Sequence, residues 1–526
     1  MSNVTTSIPY AALGFVVVAV VAIKWLRVAQ REHYLPNYVL RFAQRWYLSR
    51  ESNTNLTIAI VMVIAVVAAI SRTKVAAIVI PALAVTALLA LVSPVGLCYR
   101  GRTSKLHWTR RVKVLYGATL AIAAVAGALS ILLGLAASLA AVYILATPLI
   151  VDLAVRITEP LEARRLDTFV ALAEKKLDAI NPRRVAITGS YGKTSTKNYL
   201  AQICAHSFST LASPASFNNR AGLARTINEN MVPGTEVFIA EMGTYSKGEI
   251  ASLVSWIHPE ISAITAIGPV HLERFGSEEA ILAAKSEITK GASCVVLNAD
   301  DYRLAVLAGE LERDGLKVWR VSGSDFSQQV CVLHDDHGAA VVYYQQRRLG
   351  MTETHVAPSN LAVAVAIALE LGVPEEVIGS SIRDLASPPN RMGVARSDAG
   401  VIVIDDTYNS NPAGARLALE ELVALASPGG RKVVVTPGMV ELGDRQYDEN
   451  RDLGAAIAKV ATDACVVGAT NRKALERGLL SNSTHSTFGA RFLAFRTRDD
   501  AVKWVKAQLV AGDVVLYEND LPDHYA

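Results

Sequence analysis

The pattern of apolar and polar positions divides the chain near residue 155. Before this point, long uncharged apolar runs alternate with short basic segments, and no charged residue occurs from Val114 to Val151. As one helix that last stretch would be about 57 Å long, roughly twice a bilayer core, so we predict two helices that turn near Gly134. The sequence therefore predicts an α-helical multi-span membrane domain of four or five helices in residues 1–155. Three earlier runs contribute to it: Ile8–Ile23, Leu56–Ser71 and Val75–Leu97.

The net charge of +4 is the sum of two opposite balances. Residues 1–155 contain 14 Lys and Arg against 3 Asp and Glu, which gives +11, and the rest contains 38 against 45, which gives −7. The basic segments 24–55 and 98–113 are expected in the cytoplasm by the positive-inside rule, and so is the large C-terminal part. We therefore predict a multi-pass protein of the cytoplasmic membrane, with the lipid bilayer as a partner. The acidic C-terminal part argues against nucleic acid as a partner.

After Asp152 the pattern changes to alternating strands and helices with ordinary charge. Arg183–Thr188 is a predicted strand, followed by the sequence GSYGKT at 189–194 and a helical stretch to about His206. Strand, glycine turn and helix form the context of a phosphate-binding loop, because backbone N–H groups can approach phosphate oxygens there. Lys193 would reach the β and γ phosphates, and the Thr194 hydroxyl would bind Mg²⁺. The five cysteines are far apart, without a CxxC pair, which excludes a zinc ribbon.

Further motifs follow this loop in a fixed order. They are Asn218-Asn219, Glu241-Met242-Gly243, residues 265–268, residues 271–276, residues 284–288, His355, Asn360, Asn390-Arg391, residues 405–412 and residues 438–443. The segments DDTYNSNP and GMVELG are the most specific of them. Together these motifs resemble the Mur ligase family, most closely its MurF type, over about residues 183–515.

The resemblance implies an α/β architecture and an ATP-dependent reaction. Residues 156–390 would be the central P-loop ATPase domain, and 391–526 an α/β Rossmann-like C-terminal domain with strands near 401–405, 432–436, 463–467 and 513–517. Residues 387–390 are a plausible hinge between them, because prolines favour a linker. The enzyme would use ATP and Mg²⁺, form ADP through an acyl phosphate, and join an amino acid or a dipeptide such as D-Ala-D-Ala to a carboxylate of a cell-wall precursor.

The resemblance also implies roles for individual residues. Catalytic roles fall on Lys193, Lys285, His271 and Asn219. Nucleotide binding falls on Gly189, Ser190, Tyr191, Gly192, Lys193, Thr194, Ser195, Asn360, Arg391 and Asp406. Substrate binding falls on Asn218, Tyr408, Asn409 and Asn411. Metal binding falls on Thr194, Glu241, His271 and a carbamylated Lys285. Alternatives stay open: Lys285 as a solvated lysine, His271 and His355 as loop residues, and Asp405 as the cap of the following helix.

Two departures from the family bear on the substrate. The small N-terminal domain that binds a UDP-sugar in soluble relatives is missing, and Tyr517-Glu518-Asn519-Asp520 stands where Lys-Gly-Ser is common. We therefore expect a UDP-linked or lipid-linked cell-wall acceptor, with presentation at the membrane favoured. The alternatives are a polymeric acceptor such as poly-γ-glutamate, a non-catalytic ATP-binding scaffold for cell-wall assembly, and an ATP-driven transporter. The short GxxGKT spacing and the lack of an LSGGQ run argue against the transporter.

Overall fold

The computed structural model describes residues 2–48, 53–71, 75–101, 105–214, 217–336, 338–354, 356–386, 393–408, 410–481, 490–521 and 525. Contacts divide the chain into two units, Met1–Arg165 with Leu521–Ala526, and Leu166–Asp520. The second unit contains two β-sheets. We refer to its residues 166–386 as the central domain and to its residues 393–520 as the C-terminal domain.

The first unit is built from helices, as its long apolar runs predict. Its core consists of small and branched apolar side chains on facing helices, together with Trp25 and Trp46. Helix α7 continues past the end of this unit, and its last turns belong to the core of the second unit. The helices are α1 (Ser2–Arg31), α2 (Tyr38–Leu48), α3 (Asn53–Ser71), α4 (Ala76–Val92), α5 (Arg110–Leu132), α6 (Ala136–Leu145) and α7 (Thr147–Ile180).

The predicted turn near Gly134 is confirmed, because this glycine has a φ of +67° between α5 and α6. The expectation that the next helix runs on to Val151 is wrong, since α6 ends at Leu145 and a bend of 72° separates it from α7. Among the described residues, three helices are long and apolar enough to cross a membrane, or four if the bent pair counts as one span. Helix α4 is apolar but shorter than these.

Two basic residues of the segment 24–55, which was expected in the cytoplasm, have side chains buried among the helices of the first unit. Lys24 and Arg27 belong to α1 and are 1% and 2% exposed. The Nζ of Lys24 donates to the carbonyl oxygens of Leu91 at 3.0 Å and Ser93 at 2.5 Å. These carbonyls lie at the C-terminal end of α4, where no intrahelical donor is available. The charge of Lys24 therefore caps a helix and does not lie in a solvated loop.

The central domain contains a nine-stranded sheet in the order β2-β3-β1-β4-β5-β6-β7-β8-β9. The strands from β2 to β7 are parallel, and β8 and β9 are antiparallel additions. Parallel strands covered on both faces are continuous apolar runs, which is why Arg183–Thr188 was recognisable. The strands are β1 (Arg183–Thr188), β2 (Thr210–Ala212), β3 (Val237–Glu241), β4 (Ile261–Ile264), β5 (Cys294–Asn298), β6 (Lys317–Ser322), β7 (Val330–His334), β8 (Ala340–Tyr344) and β9 (Arg347–Thr352).

Helices cover both faces of this sheet. One face packs on the helix after the phosphate-binding loop, on the apolar helix Pro358–Leu371 and on Glu375–Arg383. The other packs on the end of α7 and on further helices of the domain. The domain is therefore the α/β layer structure that was expected. The helices are α8 (Lys193–Cys204), α9 (Arg220–Asn230), α10 (Glu249–Ile257), α11 (Leu272–Phe275), α12 (Glu278–Ser286), α13 (Tyr302–Arg313), α14 (Pro358–Leu371) and α15 (Glu375–Arg383).

The C-terminal domain is a second α/β unit with a six-stranded sheet in the order β10-β11-β15-β12-β13-β14. The four predicted strands are confirmed within a residue, and two edge strands, β10 and β14, were not predicted. Its elements are β10 (Gly393–Arg396), β11 (Ile402–Asp406), α16 (Pro412–Ala424), β12 (Lys432–Thr436), α17 (Gln446–Val460), β13 (Asp463–Val467), α18 (Arg472–Ser481), β14 (Arg491–Phe495), α19 (Arg498–Gln508) and β15 (Val514–Glu518).

Candidate active site

The phosphate-binding loop joins β1 to α8 and needs both of its glycines. Gly189 and Gly192 have φ values of +153° and +80°. A Cβ at Gly189 would lie 2.0 Å from Thr265 Oγ1, and a Cβ at Gly192 would lie 2.0 Å from Asn360 Oδ1. Both positions combine a positive φ with no room for a side chain, so only glycine fits. The same contact places Asn360, predicted to bind nucleotide, directly against the loop.

Three other loop residues differ in how their side chains are used. Ser190 Oγ donates to the carbonyl oxygen of Gly268 at 3.1 Å and accepts from its N–H at 3.0 Å, which fixes the loop on its neighbour. Lys193 Nζ donates to the carbonyl oxygen of Gly189 at 2.6 Å, so its charge lies at the loop itself. The Tyr191 hydroxyl is buried without a hydrogen-bond partner among the described residues. Ser195, in the first turn of α8, is half-buried.

Glu241, the last residue of β3, is 1% exposed, and three side chains compensate its carboxylate. Oε2 accepts from Thr194 Oγ1 at 3.0 Å and forms an ion pair with Lys197 Nζ at 3.2 Å. Oε1 accepts from Asn218 Nδ2 at 3.1 Å. The predicted residues Thr194, Asn218 and Glu241 are therefore brought together at the N-terminus of α8.

Sequence reasoning missed Lys197, whose side chain is only 1% exposed. A signal was present, because Lys197 precedes Leu200 and Cys204 by three and seven residues on α8, and both are fully buried. That spacing places all three on one face of the helix. A buried lysine needs a partner for its charge, and Glu241 provides a carboxylate at 3.2 Å.

The adjacent asparagines Asn218 and Asn219 have different surroundings. Asn218 contacts Glu241, whereas Asn219 Oδ1 accepts from the N–H of Gly222 at 2.9 Å and caps α9. An asparagine at the N-cap position stabilises the first turn of a helix. The predicted catalytic role of Asn219 stays a prediction.

Lys285 is buried and His271 is partly buried, and both lie close enough to Lys193 to feel its charge. Burial lowers the pKa of His271; the nearby Lys193 and Lys285 lower it further, while Glu441 opposes the shift. Burial, and then the charge of Lys193, holds the pKa of Lys285 well below its usual range. An uncharged amine is the form of lysine that can add CO₂, so the surroundings of Lys285 suit the predicted carbamate. The alternative of a solvated Lys285 is wrong, because this residue is 3% exposed.

The side chains around Glu241 suit one magnesium ion. Mg²⁺ binds through one or two carboxylates together with substrate phosphates and waters, and rarely in a cage of protein ligands. Thr194 and Glu241 offer two oxygens 3.0 Å apart beside the phosphate-binding loop. In the described part of the chain, no three His, Cys, Asp or Glu side chains converge as a metal site would need. Thr194 and Glu241 would therefore hold Mg²⁺ together with a nucleotide.

The C-terminal domain reaches the central domain through the loop that follows β12. Glu441 Oε2 contacts His271 Nδ1, and Glu441 Oε1 lies 4.0 Å from Arg274 Nη2. Nearby, Arg445 Nη1 forms an ion pair with Glu278 Oε1 at 2.6 Å. Glu441 belongs to the GMVELG motif, but sequence analysis assigned it no role.

The residues predicted at the end of β11 lie at the carboxyl edge of the second sheet. Asp406 is 7% exposed, and Tyr408 is 45% exposed. Asn411 Oδ1 accepts from the N–H of Gly414 at 2.9 Å and caps α16. The alternative that Asp405 caps this helix is therefore wrong; its carboxylate accepts instead from the N–H and the hydroxyl of Thr407.

The segment from Tyr517 to Asp520 contains two acidic residues, and in the structure each carboxylate has a hydrogen-bond partner. Glu518 is fully buried, and its Oε1 accepts from Ser410 Oγ. Burial, and then the neighbouring Asp406, raises the pKa of Glu518 well above its ordinary value. Asp520 accepts from Arg498 Nη1 at 2.9 Å. The expected acidic element therefore presents little free negative charge.

Several predicted residues lie outside the described part of the chain. These are His355, Arg391, Asn409 and the predicted hinge at 387–390.

Together, fold and site define a class: a two-domain α/β nucleotide-binding enzyme with a P-loop at the carboxyl edge of a parallel sheet. The family model described as "Mur ligase middle domain" matches residues 187–368, and "Mur ligase, glutamate ligase domain" matches residues 390–517. The chain belongs to the Mur ligase family and is an ATP-dependent ligase. The resemblance noted from the motifs is thus confirmed.

Relatives and solved structures agree with this family. The UDP-N-acetylmuramoyl-tripeptide–D-alanyl-D-alanine ligase of Mycobacterium tuberculosis (strain CDC 1551 / Oshkosh) is 33% identical over 361 residues, covering 63% of this chain and 69% of that protein. The same-named enzyme of Bacillus subtilis (strain 168) is 26% identical, covering 67% and 77%. The MurF ligase of Thermotoga maritima in complex with ADP has a TM-score of 0.57 at 24% identity, covering 68% and 80%, and therefore supports the fold.

Proposed function

We propose that this chain is a membrane-anchored Mur ligase that adds an amino acid or a dipeptide to a carboxylate of a cell-wall precursor, with formation of ADP. One observation carries the proposal: Thr194 and the buried Glu241–Lys197 pair meet at the phosphate-binding loop. MurF-named relatives support D-Ala-D-Ala as the incoming dipeptide and a muramoyl-tripeptide as the acceptor.

The reaction consists of two exchanges of bonds. An oxygen of the acceptor carboxylate attacks the γ-phosphorus, and the bond from this phosphorus to the β–γ bridging oxygen breaks, which releases ADP. The amine nitrogen then attacks the acyl carbon and loses a proton, while the carbon–oxygen bond to phosphate breaks and releases inorganic phosphate. Both steps need charge neutralisation and exclusion of water.

The chain's own residues divide these tasks. Lys193 would stabilise negative charge on the β and γ phosphates, and the N–H groups at the start of α8 would add to it. Thr194 and Glu241 would hold Mg²⁺, which supplies further charge neutralisation on the phosphates when bound. Lys197 compensates the charge of Glu241 in its buried position through the ion pair between them.

The surface of the first unit supports membrane anchoring. Helix α3 exposes Ile60, Val63, Ile64, Val67 and Ile70, each at least half exposed, and Leu132 of α5 is 81% exposed. Apolar surface on this scale is unfavourable in water and favourable in lipid. We place the catalytic domains in the cytoplasm on the basic segments of residues 24–55 and 98–113. An anchored enzyme suits an acceptor that is itself held in the membrane.

The choice of acceptor can be tested with full-length protein in lipid nanodiscs. ADP release would be measured with D-Ala-D-Ala and either UDP-linked muramoyl-tripeptide or its lipid-linked counterpart, with Lys193→Ala as the inactive control. We expect ADP release that needs both co-substrates and is faster with the lipid-linked acceptor. Equal or faster turnover of the UDP-linked acceptor would contradict presentation at the membrane.

The same assay separates the remaining alternatives. ATP binding without turnover on any acceptor would favour a non-catalytic scaffold. Turnover with poly-γ-glutamate and glutamate, but not with muramoyl peptides, would favour a polymer ligase. Solute uptake into vesicles that depends on ATP would favour a transporter. Each of these results would replace the proposed function.

A further inference from the structure

Glu441 lies on a loop that the C-terminal domain holds rigidly. Three asparagine side chains from separate elements bind the loop backbone. Asn450 Oδ1 accepts from the N–H of Met439 at 2.8 Å, Asn471 Nδ2 donates to its carbonyl oxygen at 3.0 Å, and Asn519 Nδ2 donates to that of Gly438 at 2.6 Å. Glu441 itself has a φ of +64°, which a non-glycine residue adopts only when its surroundings impose it. The position of its carboxylate is therefore set by the C-terminal domain.

The partner of Glu441 is equally constrained in the central domain. His271 has a φ of +60° at the N-terminus of α11. The ring of Tyr245 packs edge-on against it with centroids 4.8 Å apart. The guanidinium of Arg274 lies 4.5 Å from the centre of the same tyrosine ring, on the side of Glu441. Glu441 thus enters a small group of packed side chains that the central domain has already ordered.

The two backbones also approach closely beside this contact. A Cβ at Gly443 would lie 3.2 Å from the backbone nitrogen of Glu273, so the two loops touch. Two residues further on, Arg445 pairs with Glu278. The loop 441–445 and the segment 271–278 therefore form one seam, in which the Glu441–His271 contact is partly buried and the Arg445–Glu278 contact lies nearer to solvent.

The chemistry of this contact determines which nitrogen of His271 carries the proton. An ionised carboxylate only accepts hydrogen bonds, so Nδ1 of His271 must donate to it. The other ring nitrogen, Nε2, is then left with a free lone pair. Lys193 of the phosphate-binding loop and Lys285 both act on this ring from the central domain. A histidine held in this form can accept a hydrogen bond, or coordinate a metal, through Nε2.

We propose that Glu441 is a positioning residue of the active site: from the C-terminal domain, it fixes the ring of His271 in the central domain. This inference rests on the proposed ligase function. It assigns to the GMVELG motif a role in coupling the domains to the nucleotide site.

The test compares Glu441→Ala and Glu441→Gln in the full-length protein. His271 is a predicted metal ligand, so we expect Glu441→Ala to raise the Mg²⁺ concentration for half-maximal ADP formation about 10–100-fold, the usual loss when a group that orients a metal-binding histidine is removed. Glu441→Gln keeps a carbonyl oxygen that accepts from Nδ1, so most of this loss should be rescued. Thermal stabilisation by ADP with Mg²⁺ provides a readout without turnover. It should be largest in the wild type, smaller in Glu441→Gln and smallest in Glu441→Ala.

Two controls separate positioning from a merely structural effect. Arg445→Gln breaks the same seam without touching His271 and should leave the Mg²⁺ dependence unchanged. Glu420→Gln makes the same charge change on α16 away from the seam. In the double variant His271→Ala/Glu441→Ala, removal of Glu441 should add no further loss. An unchanged Mg²⁺ requirement in Glu441→Ala, or a fully additive double variant, would overturn the inference. Failure of ADP to stabilise the wild type would instead contradict the proposed function.

Discussion

Glu241 and Glu518 occupy corresponding places in the two sheets but differ in the groups that surround their carboxylates. Each ends a buried parallel strand, and both are at most 1% exposed. Glu241 has Thr194, Asn218 and Lys197 around it. Glu518 has Ser410 on one oxygen, no partner among the described residues on the other, and the carboxylate of Asp406 nearby.

The difference shows that burial alone does not make a carboxylate functional. A buried carboxylate stays charged when a cation and hydrogen-bond donors compensate it, and otherwise it takes up a proton. Glu241 is therefore suited to bind a cation together with a nucleotide. Glu518, whose pKa is raised by burial and then by Asp406, is suited to hold a proton instead.

The largest effect is expected when the ammonium group of Lys197 beside Glu241 is removed. Lys197→Met leaves a buried carboxylate without its ion-pair partner, so we expect the second unit to lose about 3–5 kcal/mol of unfolding free energy. Pulse proteolysis of the full-length protein across a urea series would measure this change. A loss below about 1 kcal/mol would indicate that the pair contributes little.

The double variant Lys197→Met/Glu241→Gln tests whether the unpaired charge of Glu241 causes this loss of stability. Replacing both charges leaves no unpaired ion, so the double variant should be more stable than Lys197→Met by about 2 kcal/mol or more. ADP release should nevertheless be lost, because Glu241 is the proposed ligand of Mg²⁺. Retained activity in a stable double variant would exclude Glu241 from that role.

Glu518→Gln should have the opposite effect on stability. The pKa of Glu518 in the folded chain is raised above the ordinary 4.5, so its contribution to stability is full at low pH and is lost as the pH rises from there. Glutamine cannot ionise, so the variant should gain about 1–3 kcal/mol at pH 8. The gain should disappear near pH 4, as thermal unfolding at a series of pH values would detect. A pH-independent difference would contradict the raised pKa of Glu518.

The smallest effect is expected from helix caps. Asn219→Ala and Thr497→Ala each remove one capping hydrogen bond, at α9 and α19, and should cost about 1 kcal/mol. If Asn219 is only a cap, both variants should lose similar amounts of ADP-forming activity. A loss of kcat in Asn219→Ala that far exceeds that in Thr497→Ala would support the predicted catalytic role, and comparison of kcat with thermal unfolding distinguishes the two.

The parts of the fold that could be predicted from the sequence are those that depend on residues close together in the chain. β1 and the glycine loop are contiguous, and strands such as β12 are continuous apolar runs. β10 and β14 carry arginines and exposed positions, so they lack that pattern. The end of α6 was hidden in an uncharged run, although Pro148 in the first turn of α7 was a signal for a new helix.

The candidate site divides in the same way. Lys193 and Thr194 were predictable from spacing, because one turn and one helix position them. The partners of Glu241 and His271 come from distant parts of the chain, and Glu441 is 170 residues from His271. No local pattern encodes such contacts, since they depend on how helices and domains pack.

The central claim is that an acceptor carboxylate attacks the γ-phosphate of ATP. An acceptor labelled with ¹⁸O in both oxygens of its reacting carboxylate would be turned over by full-length wild-type protein with the amine, and the inorganic phosphate would be analysed by mass spectrometry. Because the carbon–oxygen bond breaks in the second step, one ¹⁸O should appear in each phosphate released. Phosphate without ¹⁸O would mean that water attacks the nucleotide, and the ligase account would be contradicted.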